Sequence, residues 1–250
     1  MLENRKRLEE LKDRCIKRQM VTYTHFLTPA ERYDAEKIFN GSDEYRTFFF
    51  GGNEYCERTV LFFIPDIYSD IVPNDIPDIS EAIKAVHLKA RFASPTHRDY
   101  LGSILGLGIE RDRTGDIFVY DDGAYVFCLP TVLETIKQLK KVGRAGVLAS
   151  EINISEVPVK APDLKIMNFS VMSPRLDAIA SGMFGISRAE AVRQIARENI
   201  TVNYQTAVRN DLPISKGDII SMRGKGKGCI LDDEGTSKKG RLYIKAGIYR

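Results

Sequence analysis

The stretch that decides the C-terminal fold runs Ser173-Pro174-Arg175-Leu176-Asp177-Ala178-Ile179-Ala180, then Ser187-Arg188-Ala189-Glu190-Ala191-Val192-Arg193-Gln194-Ile195. It continues through Ile200-Thr201-Val202-Asn203 to Gly217-Asp218-Ile219-Ile220-Ser221-Met222-Arg223-Gly224. Two short helices followed by two strands are expected. In the first helix Leu176, Ile179 and Ala180 fall on one inward face. In the second, Ser187 is placed to cap the N-terminus with Glu190 as its partner in a capping box, and Val192, Ile195 and Ala196 form the buried stripe. The apolar runs at 200–203 and 219–224 read as strands, joined through a turn at Leu212–Asp218.

Cations surround this framework. Residues 173–250 carry fourteen Lys/Arg against eight Asp/Glu, a net of +6, whereas residues 19–81 carry four against twelve, a net of −8. The whole chain of 250 residues has a formal charge of only +3. Such polarity points to a polyanion-binding module at the C-terminal end of a body that does not need positive charge. The start of the helix at Ser187 presents N–H groups suited to a phosphate. Arg188 stands in its first turn, Arg175 lies on the preceding helix, and Arg193 and Arg197 share a face by their spacing of four. Arg223, Lys225 and Lys227 alternate with Gly224, Gly226 and Gly228, which reads as a flexible basic loop able to approach a nucleic-acid backbone.

Working toward the N-terminus, residues 157–172 contain Pro158 and Pro162 and read as a connection. Before it, residues 83–92 alternate like a half-buried strand, with Val86, Leu88, Ala90 and Phe92 on one face and His87, Lys89 and Arg91 on the other. A helix over 97–107 capped by Thr96, strands at 116–120 and 125–128 around Asp121-Asp122-Gly123, a helix over 130–142 and a strand at 145–152 follow. The order β-α-β-β-α-β is the ferredoxin-like arrangement that many RNA-recognition modules share, although the topology alone assigns no function. Further forward, the spacing predicts a charged helix over 3–18, a helix over 29–39 opened by the capping box Thr28-Pro29-Ala30-Glu31, and a hairpin from Arg46–Phe50 and Arg58–Ile64. Residues 65–80, with three prolines, read as a boundary. The fold class expected is α+β in three modules: 1–75, 78–156 and 173–250. The acidic front module is expected to be dispensable for RNA affinity.

The Arg-Leu-Asp opening at 175–177, the Ser-Arg helix start at 187–188, the Val-Asn strand end at 202–203 and the Gly-Asp-apolar strand start at 217–220 together resemble the S4 RNA-binding domain. Tyr204 departs from that pattern, which commonly has Gly there, and Glu198-Asn199 replaces the usual small residue. With Thr96-His97-Arg98-Asp99-Tyr100-Leu101-Gly102 and Leu105-Gly106-Leu107-Gly108-Ile109 in the middle, the whole chain resembles the YlmH family. The resemblance implies a non-enzymatic bacterial protein that binds structured rRNA or tRNA on the large ribosomal subunit, in ribosome-associated quality control. It also implies a link to cell division, no cofactor or metal, and a cytoplasmic monomer. Asn203 joins the RNA-contact set on this ground, and His97 and Arg98 become second-site RNA contacts.

Other chemistries fit less well. Arg175-Leu176-Asp177 also occurs in pseudouridine synthases, but no domain of the required size follows it. The Gly-x-Gly-x-Gly string at 224–228 lacks the strand-before, helix-after context of a dinucleotide site. His25, His87 and His97 are far apart and match no zinc-hydrolase spacing. His97-Arg98-Asp99 has no accompanying kinase motifs. DNA binding by the basic helix pair would require base-reading side chains near Ser187, where the sequence offers a phosphate clamp instead. No apolar run approaches the roughly 20 residues of a membrane span, no secretory signal is read at the N-terminus, and Cys15, Cys56, Cys128 and Cys229 lack CxxC spacing, all of which suit a reducing, cytoplasmic setting.

Overall fold

The computed structural model describes residues 5–91, 94–233, 235 and 240–249. The chain divides into two compact units, residues 1–160 and 161–250. The expected boundary near residue 75 therefore lies inside one unit, and the reason is a shared core. Strand β3 (Thr59–Pro65) is buried along its whole length, as a continuous apolar run permits. Its Leu61 and Phe63 pack with Leu8 and Cys15 of helix α1 (Arg5–Arg18) and Ala35 of α2 (Pro29–Ile38). Its Val60, Phe62 and Ile64 face the other way, into a cluster with Phe26, Ile83, Ala85, Tyr125 and Phe127. The front and middle segments thus bury each other's apolar surface. Strands β1 (Thr22–Leu27) and β2 (Tyr45–Phe50) flank β3 in the antiparallel order β1-β3-β2. Thr28 and Glu31 form the expected capping box.

A four-residue helix α3 (Pro77–Ser80) leads to the second sheet of this unit. It contains β4 (Lys84–Arg91), β5 (Thr114–Tyr120), β6 (Gly123–Cys128), β7 (Lys141–Val142) and β8 (Ala145–Ile152), in the antiparallel order β5-β6-β4-β8-β7. Helices α4 (His97–Leu105) and α5 (Pro130–Lys137) cover one face, where Val86, Leu88, Val126 and Val147 meet Tyr100, Ile104, Leu133 and Ile136. The predicted alternation of Val86 and Leu88 against His87, Lys89 and Arg91 is present; Phe92 lies outside the described residues. On the opposite face, Ala85 and Phe127 belong to the cluster shared with the front segment. Both middle helices end earlier than their composition suggests. Helix α4 stops at Leu105 with Gly106 as its cap. Helix α5 stops at Lys137 because Lys141 and Val142 pair with Gly146 and Ala145 across a turn in which Gly143 has φ of +55°.

In the second unit the described residues form one antiparallel sheet and two helices. Its strands are β9 (Leu164–Val171), β10 (Ile200–Val202), β11 (Gln205–Thr206), β12 (Ile219–Met222), β13 (Gly226–Asp232) and β14 (Leu242–Tyr249), in the order β11-β10-β12-β13-β14-β9. Strand β9 corrects the reading of 157–172 as a connection: its eight residues pair with β14 from Leu164↔Tyr249 to Val171↔Leu242. Helices α6 (Leu176–Phe184) and α7 (Arg188–Ala196) bury Leu176, Ile179, Met183, Ala191 and Ile195 with Ile200, Ile220 and Ile230 of the sheet.

Candidate nucleic-acid interface

Helices α6 and α7 are joined by Gly185-Ile186-Ser187, with Gly185 at φ +62° as the left-handed cap of α6. That sharp turn brings Arg188 back over the start of α6. The carboxylate of Asp177 is waiting there, its side chain only 3% exposed. Its Oδ2 accepts from Arg188 Nε at 3.0 Å and lies 2.9 Å from Arg188 Nη2. Its Oδ1 accepts from Arg175 Nε at 3.4 Å and from the backbone N–H of Ala178 at 2.8 Å. Arg175 and Arg188, thirteen positions apart in the chain, are thus held as a pair by one buried acid, while their side chains remain 39% and 57% exposed. The sequence places Asp177 in the Arg-Leu-Asp triplet of the S4 pattern, without the bridging role its carboxylate has here. The Arg-Leu-Asp triplet followed by Arg188 after a left-handed turn was the available signal.

The two helix starts differ. At α6 the N–H groups of Leu176 and Asp177 donate to the carbonyls of Leu212 and Asn210 at 2.9 and 3.0 Å, so that end is closed by the following loop. At α7 Ser187 caps as expected, accepting from Glu190 N–H at 3.1 Å. The reciprocal half of the predicted capping box is absent. Glu190 instead accepts from Arg193 Nε at 2.8 Å and from Gln194 at 2.7 Å. Those hydrogen bonds, Gln194 first, hold its carboxyl below the ordinary carboxylate range. Arg193 is therefore paired along its own helix, though its side chain is exposed, and Arg197 at the helix end is exposed beside it.

Residues 223–228 form a tight hairpin and not the flexible loop expected. Arg223, Gly224 and Lys225 make the turn between β12 and β13, with Ser221↔Lys227 and Met222↔Gly226 already in register. Arg223 and Lys225 are exposed on it. Lys227 is half-buried, its Nζ lying 4.5 Å from the Tyr249 ring centroid and 5.9 Å from that of Tyr204. Gly228 is a packing residue, since a Cβ there would stand 2.8 Å from Ile248 and 2.9 Å from Met183. Asn203 and Tyr204, at φ +48° and +66°, turn β10 into β11. The Asn203 amide is spent inside the fold: its Oδ1 accepts from Ile219 N–H at 2.9 Å and its Nδ2 donates to Asp218 at 2.8 Å. It shapes the loop beside the basic hairpin.

His97 and Arg98 belong to the other unit, where they are exposed in the first turn of α4. There Thr96 and Asp99 close a capping box, with Thr96 N–H donating to Asp99 Oδ2 at 2.8 Å. Thr96 thereby holds the Asp99 carboxyl below its ordinary range, and an anion approaching His97 meets that acid as well. Among the described residues no three His, Cys, Asp or Glu side chains converge as a metal site. No described helix is long and apolar enough to cross a membrane.

Residues 77–156 match the family model described as "Putative RNA-binding domain in YlmH". Over 222 residues the chain is 27% identical to the Ribosome-associated protein quality control protein P2 of Bacillus subtilis (strain 168), covering 88% of this chain and 84% of that protein. Among solved structures it is similar to the cell division protein ylmH from Streptococcus pneumoniae, at 22% identity and a TM-score of 0.47, over 63% of this chain and 95% of that one. A match to the YlmH RNA-binding domain at 77–156, together with a relative that the chain parallels through most of its length, supports the YlmH family as the one this chain resembles.

Proposed function

We propose that this protein is a non-enzymatic, cytoplasmic RNA-binding factor of ribosome-associated quality control. It docks as a monomer on structured RNA of the large ribosomal subunit, with tRNA as a further contact. In this reading residues 173–250 are an S4 module, residues 78–156 are a ferredoxin-like module that adds His97 and Arg98 to the contacts, and residues 1–75 pack against the latter. The observation that carries the proposal is the Arg175–Asp177–Arg188 group, two exposed guanidiniums fixed by one buried carboxylate beside the capped start of α7. A guanidinium so held meets a phosphate with less ordering cost than a free side chain. Arg197, Arg223 and Lys225 are exposed in the same unit. The relative's role in ribosome-associated quality control supports the choice of partner.

Sucrose-gradient sedimentation of the full chain tests this. Wild type is expected with the large subunits, and the Arg188→Glu, Arg223→Glu double variant in the free fractions. Equal co-sedimentation of the two would remove these residues as the docking site. Binding of duplex DNA equal to that of ribosomal RNA at matched salt would overturn the choice of nucleic acid.

A further inference from the structure

Beside Arg188 the second unit has a recess of about 300 Å³. Its wall is Phe169 and Val171 of β9 with Ala178 of α6, and Arg188 and Arg241 are among the residues lining it. Arg241 Nε donates to Ser170 Oγ at 3.0 Å and Nη2 to the Ser170 carbonyl at 2.6 Å, which fixes that side chain along the edge of β9. Met172, 66% exposed, stands at the end of the same strand. Gly182 of α6 lines the recess and lets the Phe169 ring pack close. A Cβ there would lie 2.3 Å from the Phe169 ring, so the ring lies directly against α6. Among the described residues that line it, none is acidic.

A recess of mixed lining, with Phe169, Val171 and Met172 as its apolar part and Arg188 and Arg241 as its cations, fits one ligand chemistry closely. The flat face of a nucleobase suits Phe169 and Met172, and its phosphate suits the two arginines. The volume lies at the small end of the range of ligand pockets, enough for a single nucleotide and too little for a stacked pair. The ligand source follows from Arg188, which belongs both to this recess and to the docking group held by Asp177. A phosphate backbone seated on Arg188 carries its neighbouring base to the mouth of the recess. We infer that β9 and Arg241 form a base-capture site, which takes one unpaired nucleotide of the RNA docked on the α6–α7 face. This inference rests on the docking proposal and adds to it a specificity element: preference for RNA with a flipped or looped nucleotide next to the phosphate bound by Arg188.

The experiment uses the full chain and large-subunit ribosomal RNA. Affinities are measured for wild type, Arg241→Glu, Met172→Glu and Arg188→Glu, and RNA-linked peptides are mapped after ultraviolet crosslinking. Arg241 and Met172 are exposed, so their variants retain the core. The site predicts an affinity loss of about fivefold or more for Arg241→Glu and for Met172→Glu, and crosslinks on the peptide containing Phe169 and Met172. Wild-type affinity in both variants together with no crosslink at 169–172 overturns base capture. If Arg188→Glu still abolishes binding in that case, the docking face survives. Wild-type affinity in Arg188→Glu overturns the docking proposal and base capture with it.

Discussion

Replacing Asp177 by Asn separates two opposed consequences of one buried carboxylate. The substitution keeps the shape and removes the charge that pairs Arg175 with Arg188. Hydrogen bonds to a charged group contribute about 1.5–3 kcal/mol each when buried. Here both arginines are substantially exposed and rehydrate when released, so the cost to folding is about 1–2 kcal/mol in all. For RNA affinity the two effects have opposite signs. Losing a negative charge about 8 Å from a bound phosphate, in water, favours binding by only ~0.5 kcal/mol. Releasing two long side chains adds about 0.5–1.5 kcal/mol apiece to the ordering cost of binding. The ordering effect is larger, so affinity falls by about 0.5–2.5 kcal/mol, roughly two- to seventyfold. Fluorescence anisotropy with large-subunit RNA reads the affinity, and urea unfolding of the same samples reads the stability. A folded Asp177→Asn protein that binds as tightly as wild type, or more tightly, would show that the carboxylate only screens the arginines and does not position them.

Further outcomes follow from the same geometry. In Arg223→Gln the slope of log affinity against log salt is expected to flatten by about 0.7–0.9, as when one phosphate fewer is neutralised; an unchanged slope would place that residue off the RNA. Phe62→Ala, at a fully buried ring, is expected to cost about 3–5 kcal/mol in urea unfolding while RNA affinity stays within about twofold; a loss of binding would make the front segment part of the interface. Burial pushes the Cys15 thiol up to about 11 and the Cys56 and Cys128 thiols up to about 12. All three therefore stay protonated at pH 8 and resist alkylation in the native protein, and half-exposed Cys229 reacts first. Peptide mapping after brief iodoacetamide treatment checks this order.

Local chemistry was the legible part of the fold. Thr28 with Glu31 and Ser187 with the N–H of Glu190 form caps where their spacing says they should. The alternation at 84–91 sorts the two faces of β4, because one face is packed on helices. What escaped depended on partners distant in the chain. Strand β9 is flanked by prolines and is made a strand by β14, more than 70 positions later. The boundary near 75 looked real from its prolines, yet Val60 and Phe62 pack with Phe127 across it. For that reason deletion of 1–75 strips the core of the first unit, and a point substitution such as Phe62→Ala is the cleaner probe of the front segment. Glu190 shows a local rule losing to a local competitor: Arg193 and Gln194, one turn on, take the carboxylate that the capping box would have used. In the site, the types and spacing of the basic residues were readable. The pairing of Arg175 with Arg188 was not, because it depends on where the left-handed turn at Gly185 sends α7.

Whether this chain acts by holding large-subunit RNA on the face organised by Asp177 is tested most directly by crosslinking in living cells. The attached RNA is sequenced and the linked peptides are mapped. The expected result is a concentrated set of large-subunit ribosomal RNA fragments, with tRNA beside them, joined to peptides from 173–228. Fragments scattered over messenger RNA, or links confined to residues 1–160, would contradict it.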